Sequence, residues 1–498
     1  MRSTEGKLCR SMIAGLTLFL LTAGVMAQTD PADLSAKSSA PGGASPSGPV
    51  ASSAGASSPS GPVASSPGVS SPSGPVASSS IASSPAASYP SGTEDRMEWF
   101  ADAKLGIFIH WGIYAVNGID ESWSFYNELI GYDDYMKQLA GFTAENYDPR
   151  QWVKLIRESG ARYAVLTSKH HDGVALWDTK LSRLNVVDTT PARADLIKPF
   201  VKELRRAGLK VGLYYSLLDW SHPDYPNMTK SVKRYSEDSL RWERFVTFNH
   251  GQISELADKF RPDLYWFDGD WEQSAEKWRA AEIRKMILED NPAAIINSRL
   301  AGYGDYATPE QGLPSARPEA KHWELCMTIN DSWGYQGNDK NYKSPSQVVR
   351  IFAECIGMGG NLLLDIGPKA DGTIPEQQAE VLREMGRWTS RHRQAIYGTV
   401  AGLPDGHFAG PSTMSRDSTT VYLFFPGDGG GELMLEGVKN KINKAFVVGN
   451  GTTLEVREYL RPYWSNHAGV YFIKVPEEVL DGTMTVIGLA LDGKLKVE

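Results

Sequence analysis

The sequence predicts an α/β chain: an irregular (β/α)8-like (TIM-type) barrel followed by a C-terminal antiparallel β-sandwich. Three observations carry this prediction. Apolar runs of strand length alternate with amphipathic helical segments over about 300 residues, which fits one such barrel. Titratable side chains gather where the predicted strands end. Past about Thr399 the helical period stops, and short apolar runs separated by Gly-rich turns take over.

Taken in order, folding is expected to begin near Thr93, where charge and aromatics return. Leu105–Ile109 reads as a strand leading into His110-Trp111-Gly112. The segment 149–160 has helical spacing and a Gly stop. Tyr163–Leu166 is a strand running into Lys169-His170-His171-Asp172-Gly173. The segment 195–208 is a helix with Asp195 near its start, basic residues near its end and Gly208 as cap. Lys210–Ser216 is a strand carrying Tyr214, and a helix spans 239–260. Leu264–Phe267 is a buried strand that delivers Asp268 as the chain turns at Gly269-Asp270. A helix over 276–290 precedes a strand over 293–297 that ends near Arg299. A loop with Asp305, Tyr306 and Glu310 leads to a strand over 322–329 containing Glu324. A helix over 345–357, a strand over 361–365 and a helix over 375–396 complete the barrel. The catalytic barrel is therefore assigned to 93–398 and the sandwich to 399–498. Runs at 420–424, 444–448, 469–475 and 484–487 are the expected strands of the sandwich.

The chain has 498 residues, is 41% hydrophobic and carries a net charge of -8, with no Lys/Arg block. Its length and apolar content suffice for large cores, and the charge argues against a nucleic-acid partner. Residues 1–27 have the form of a signal peptide. Arg2, Lys7 and Arg10 are basic, the run 12–21 is apolar but short for a bilayer, and Val25-Met26-Ala27 precedes Gln28 at a cleavage-like site. Export to the periplasm or medium is expected, with no integral membrane segment in the mature chain. Cys9 lies in the basic region, so the mature chain keeps only Cys326 and Cys355, which make no disulfide framework. Residues 28–92 are a Ser/Pro/Ala/Gly-rich linker in which SPSGPVASS recurs at 45–53, 58–66 and 71–79, a period of 13. A unit with one Val offers nothing to stack, so a disordered tether is expected.

The polar residues at predicted strand ends are His110, His170, His171, Tyr214, Asp268, Arg299 and Glu324. A closed barrel brings such ends around one mouth. Two carboxylates there suit glycoside hydrolysis, with Asp268 as nucleophile and Glu310 or Glu324 as acid/base. Adjacent His170 and His171 point to opposite faces of a strand, so they reach one site only if the strand has already ended. No HxH, HExxH or Cys pair supports a metal site, no Gly-rich loop precedes Lys-Ser/Thr, and no GxSxG elbow is present.

At these residues the chain resembles glycoside hydrolase family 29, the α-L-fucosidases. The matching blocks are GIFIHWG (106–112), TSKHHDG (167–173), GLYYSLLDW (212–220), WFDGDW (266–271), WELCMTINDSWGY (323–335), GGNLLLDIGP (359–368), KADGTIPEQ (369–377) and AIYGT (395–399). The resemblance implies a retaining exo-α-L-fucosidase that releases terminal fucosyl residues from glycans by double displacement, with no cofactor and no metal. It implies Asp268 as nucleophile and Glu310 as acid/base, with Glu324 as runner-up. It implies His110, Glu121, Trp123, His170, His171, Tyr214, Trp266, Arg299 and Trp333 as sugar contacts. Ser122 stands between Glu121 and Trp123, where many members have Glu directly before Trp. The partner is a fucosylated oligosaccharide or glycoconjugate. Two other readings stay open here: a non-catalytic carbohydrate-binding surface protein on the same fold, and an exo-glycosidase for another sugar such as galactose. Linkage preference and oligomeric state are not encoded in any motif.

Overall fold

The computed structural model describes residues 93–426, 430–461 and 463–498. The predicted signal peptide and the repeat-bearing linker lie outside the described residues. A helix starts at Thr93 and runs to Ala103. Seven parallel strands follow, β1 (Leu105–Ile109), β2 (Tyr163–Lys169), β3 (Lys210–Ser216), β4 (Leu264–Asp268), β5 (Ile295–Ile296), β6 (Glu324–Thr328) and β7 (Asn361–Ile366). They form one curled sheet in the order β5-β4-β3-β2-β1-β7-β6. The gap between β5 and β6 is closed by an irregular segment rather than an eighth strand. Within it Tyr306 bridges Asn297, Ala307 bridges Trp323 and Glu310 bridges Cys326, all in parallel sense. This segment supplies the irregularity expected of the barrel.

Period-2 alternation along each strand sorts its side chains. Phe108, Tyr163, Val165, Tyr214, Leu264, Trp266, Cys326 and Leu363 face one another inside the barrel as one cluster, joined by Phe100 and Tyr306. The intervening residues, among them Ile107, Leu166, Leu213, Tyr265, Phe267, Met327 and Leu364, belong to the outer core under the helices. The helices start where local chemistry allows. Asp148 caps Pro149–Glu158, Asp238 caps Ser239–Phe260, and Ser344 with Gln347 forms a capping box before Pro345–Gly357. These helices, with Ile197–Arg206, Ala280–Asp290 and Glu376–Arg391, cover the sheet at the places the sequence pattern indicates.

Nine short strands follow the barrel: β8 (Thr399–Ala401), β9 (Ser412–Ser415), β10 (Thr420–Pro426), β11 (Gly431–Glu436), β12 (Ile442–Val447), β13 (Thr453–Leu454), β14 (Val456–Tyr459), β15 (Val470–Val475) and β16 (Met484–Leu491). They make two antiparallel sheets, β13-β12-β16-β10-β9-β8 and β11-β15-β14, around a second core that includes Leu423, Ile473 and Leu489. The other face of the larger sheet packs on the barrel helices. Trp388 donates its indole N–H to the Met484 carbonyl at 2.8 Å, and Phe424 and Val486 join the main core. Both Cys326 and Cys355 are buried free thiols. Among the described residues no helix is long and apolar enough to cross a membrane.

Candidate active site

The stretch ending at Asp268 is held from both sides. On one side Ser216 of β3 pairs with Asp268, and the Leu217 N–H donates to the Asp268 carbonyl at 2.8 Å. On the other side β5 is only two residues long, and the Asn297 side chain continues its pairing. Its amide accepts from the Phe267 N–H at 2.9 Å and donates to the Phe267 carbonyl at 2.8 Å. Asp268 is in phase with Leu264 and Trp266, so its carboxylate points into the barrel at the C-terminal rim. The chain then turns through Gly269 at φ +86°, where an added Cβ would sit 2.4 Å from Leu218 Cγ. Asp270 faces away, accepting the Ala301 N–H at 2.8 Å, and so ties the segment after β5 to this turn.

That segment carries Arg299. Its Nη1 donates to Asp268 Oδ1 at 2.9 Å and its Nη2 to Glu310 Oε2 at 2.5 Å. One planar guanidinium therefore spans both carboxylates, a geometry only its forked donors allow. Burial works to lower the Arg299 pKa, but Asp268 and Glu310 outweigh it, and the net direction is well upward. Glu310 lies on the closing segment opposite Cys326, high in the barrel, with its side chain 36% exposed at the mouth.

Glu324 departs from its expected place. It is the first residue of β6, not one near the C-terminal end, and its carboxyl faces the barrel floor. It accepts from the Tyr163 hydroxyl and, at 3.0 Å, from the Trp266 indole N–H. Burial raises its pKa to about 7, against the opposing pull of the Tyr163 and Trp266 hydrogen bonds. No exposed surface remains on this residue, so it cannot meet a glycosidic oxygen at the rim.

β2 ends at Lys169, so His170 and His171 lie past the strand and both turn to the same site, ring centroids 4.2 Å apart. Each imidazole has a dedicated Nδ1 partner. His110 is paired with Asp365 at 2.7 Å, His170 with Ser122 at 2.6 Å and His171 with Ser216 at 2.6 Å. The Ser216 hydroxyl has one proton, given to the Leu218 carbonyl at 2.8 Å. It must therefore accept from His171 Nδ1–H, which leaves His171 Nε2 a bare acceptor. This atom is buried, 3.6 Å from Asp268 Oδ2, and has no hydrogen-bond partner among the described residues. A ligand hydroxyl suits it. All three rings stay neutral at ordinary pH. Burial, reinforced by His170, holds His110 well below its usual value. Burial with His171 does the same for His170, and burial with Lys169 takes His171 down to about 3.

Aromatic faces complete the cavity. Tyr214 donates its hydroxyl to Asp268 Oδ2 at 3.0 Å and stacks between His170 (5.6 Å, 9°) and Trp266 (5.7 Å, 21°). Trp333 packs at 4.9 Å on His110, and its loop is fastened by Glu121, which accepts the Gly334 N–H at 2.5 Å. Burial raises the Glu121 pKa to about 7. Trp123 lies edge-on to His171 at 5.4 Å and stacks on the half-exposed Trp271 at 6.4 Å. The structure thus gathers His110, Glu121, Trp123, His170, His171, Tyr214, Trp266, Asp268, Arg299, Glu310 and Trp333 around one mouth and leaves Glu324 beneath it. Ser122, Ser216 and Asp365 were missed in the sequence. Asp365 alone gave a signal, as an acid at the end of a buried run. Among the described residues no three His, Cys, Asp or Glu side chains converge as metal ligands.

Two carboxylates held by one arginine, neutral imidazoles with outward acceptors or donors, and aromatic walls form a site for a polyhydroxylated ring. Comparison with known proteins agrees. The alpha-L-fucosidase family profile matches residues 79–394. An alpha-L-fucosidase of Branchiostoma floridae is 34% identical over 330 residues, covering 60% of this chain and 72% of that protein. Alpha-L-fucosidase isoenzyme 1 of Paenibacillus thiaminolyticus superposes with a TM-score of 0.73 at 34% identity, over 80% of this chain and 99% of that one. A GH29 alpha-L-fucosidase of Bacteroides thetaiotaomicron, trapped as a covalent intermediate with 2-fluoro-fucosyl fluoride, gives 0.72 at 29% identity, over 80% of this chain and 96% of that one. The chain belongs to the alpha-L-fucosidase family, glycoside hydrolase family 29.

Proposed function

We propose that this protein is a retaining exo-α-L-fucosidase that releases terminal α-L-fucosyl residues from fucosylated glycans by double displacement. The observation that carries this reading is the single guanidinium of Arg299 in contact with both Asp268 and Glu310. It keeps the two carboxylates within one guanidinium's span, in keeping with the separation of about 5–5.5 Å that retention requires. Asp268, on a rigid strand end, attacks the anomeric carbon. Glu310, at the open side of the mouth, protonates the departing oxygen and then takes a proton from the water that hydrolyses the fucosyl-enzyme. His171 Nε2 accepts a hydroxyl of the sugar, His110 and His170 contact others, and Trp333 faces the apolar 6-deoxy edge.

Replacing Asp268 with Ala is expected to abolish turnover of an aryl α-L-fucoside. Azide then restores aglycone release and gives the inverted β-L-fucosyl azide. An Asp268→Ala protein with near-normal activity overturns the assignment. Comparing aryl α-L-fucoside with aryl α-D-galactoside separates fucose from galactose specificity, and absence of turnover on either favours a binding protein. The N-terminal pattern further supports export, with cleavage after Ala27 and the Ser/Pro-rich linker as a tether. The mature protein's N-terminal residue, expected at Gln28, tests this.

A further inference from the structure

Glu324 is a buried acidic side chain of the barrel interior that the proposed chemistry does not use. Its surroundings form a continuous stack. The carboxyl sits on the floor with no exposed surface, takes the Tyr163 hydroxyl on Oε2, and takes the Trp266 indole N–H on Oε1 at 3.0 Å. The Tyr306 hydroxyl adjoins it as well. Trp266 is packed laterally by Phe108 at 4.9 Å and Tyr214 at 5.7 Å. The Arg299 guanidinium lies over its ring, 4.6 Å from the centroid, and from there reaches Asp268 and Glu310.

We propose that Glu324 is a positioning residue: it fixes the Trp266 indole from below, and the indole is the platform that sets Arg299 between the two reacting carboxylates. Three physical points support this. A buried indole N–H needs an acceptor, and Glu324 is the one it has. The lateral contacts of Trp266 are apolar ring faces, which permit in-plane rotation, whereas a hydrogen bond at the edge fixes it. Arg299 has no aromatic support other than this ring among its described contacts, so its position follows the indole. Glu324 thus acts on the reaction through two intermediates and touches neither substrate nor the reacting carboxylates.

This inference rests on the fucosidase reading, which wild-type turnover of an aryl α-L-fucoside tests first and separately. The variants are E324Q and E324L. Gln offers its carbonyl to the indole and its NH2 to the Tyr163 oxygen, so it preserves the stack, whereas Leu fills the volume and leaves the N–H orphaned. With a nitrophenyl fucoside and an unactivated fucosyl disaccharide, E324L is expected to lose about tenfold or more in kcat/KM on both, from the lost hydrogen bond and its consequences. Azide should have no effect. E324Q is expected to recover to within about threefold of the wild type. If Glu324 were the acid/base instead, E324Q would be as impaired as E324L. Both would keep much of their activity on the activated substrate, and azide would yield the retained α-L-fucosyl azide. That pattern overturns the proposal, as does an E324L protein with wild-type kinetics. Where E324L does not fold, E324Q alone decides.

Discussion

Replacing Arg299 with Met keeps the aliphatic stem over Trp266 but removes both donors. The hydrogen bond to Asp268 is charge-assisted and largely buried, with side chains 19% and 12% exposed, and is worth about 1.5–3 kcal/mol. The bond to Glu310 ends on a carboxylate that is 36% exposed, so screening reduces it to about 0.5–1 kcal/mol. The sum, about 2–4 kcal/mol, corresponds to a fall in kcat/KM of roughly thirtyfold to a thousandfold, at about 1.36 kcal/mol per decade. Arg299→Lys supplies a point charge that reaches one carboxylate but not both, so its loss should lie between wild type and Arg299→Met. The assay is steady-state hydrolysis of a nitrophenyl α-L-fucoside, with the melting temperature as control. An Arg299→Met protein within threefold of wild-type kcat/KM refutes the view that this guanidinium organises the carboxylates.

Tyr214→Phe removes the hydroxyl that donates to Asp268 Oδ2 and is expected to lower kcat about ten- to a hundredfold without loss of fold, as read by kinetics and circular dichroism. Asp365→Leu removes the Nδ1 partner of His110, freeing the ring to turn, and should raise KM about tenfold and weaken competition by L-fucose, while Asp365→Asn retains more of both. For pH, burial raises Glu324 from 4.5 to about 7, so folding is favoured by its neutral form. That contribution is complete below pH 4.5 and is lost as pH rises through 7. The melting temperature of E324Q minus that of wild type should therefore grow between pH 5 and pH 8, and a constant difference contradicts the assignment. The buried imidazoles act in the opposite sense. His171, lowered to about 3, contributes stability above pH 6.5 that is lost on acidification toward pH 3, so His171→Gln should flatten the acid limb of the melting curve.

The strands of the barrel were legible because each is a short apolar run ending in Gly, Pro or a polar cluster, and the barrel requires that both strand faces be buried. The curled seven-stranded sheet and the antiparallel sheets after it follow that reading. What the pattern cannot show is closure. The segment 305–311 has no strand-like alternation and joins β5 to β6 through isolated bridges at Asn297, Trp323 and Cys326, so the height of Glu310 in the barrel is set by tertiary pairing. The same limitation misplaced Glu324. The apolar run over 322–329 reads as one strand, yet its ladder with β7 begins at Glu324, and a carboxyl at the start of a parallel strand lies at the floor, not the rim. The histidines were legible as a motif, but their partners were not. Ser122 and Ser216 are distant in sequence from the rings they orient and carry no periodic signal. Cys326 bridges Glu310 and its thiol donates to the Pro309 carbonyl, a juxtaposition that only the closing segment creates.

Asp268 is expected to become covalently fucosylated during turnover. Inactivation with 2-fluoro-fucosyl fluoride, followed by proteolysis and mass spectrometry of the peptides, tests it most directly. One added 2-fluorofucosyl group is expected on the peptide containing Leu264–Asp268, with fragmentation locating it on Asp268 and no adduct in the Asp268→Ala protein. A stoichiometric adduct on Glu310 or any other residue, or full inactivation with no adduct on Asp268, contradicts it.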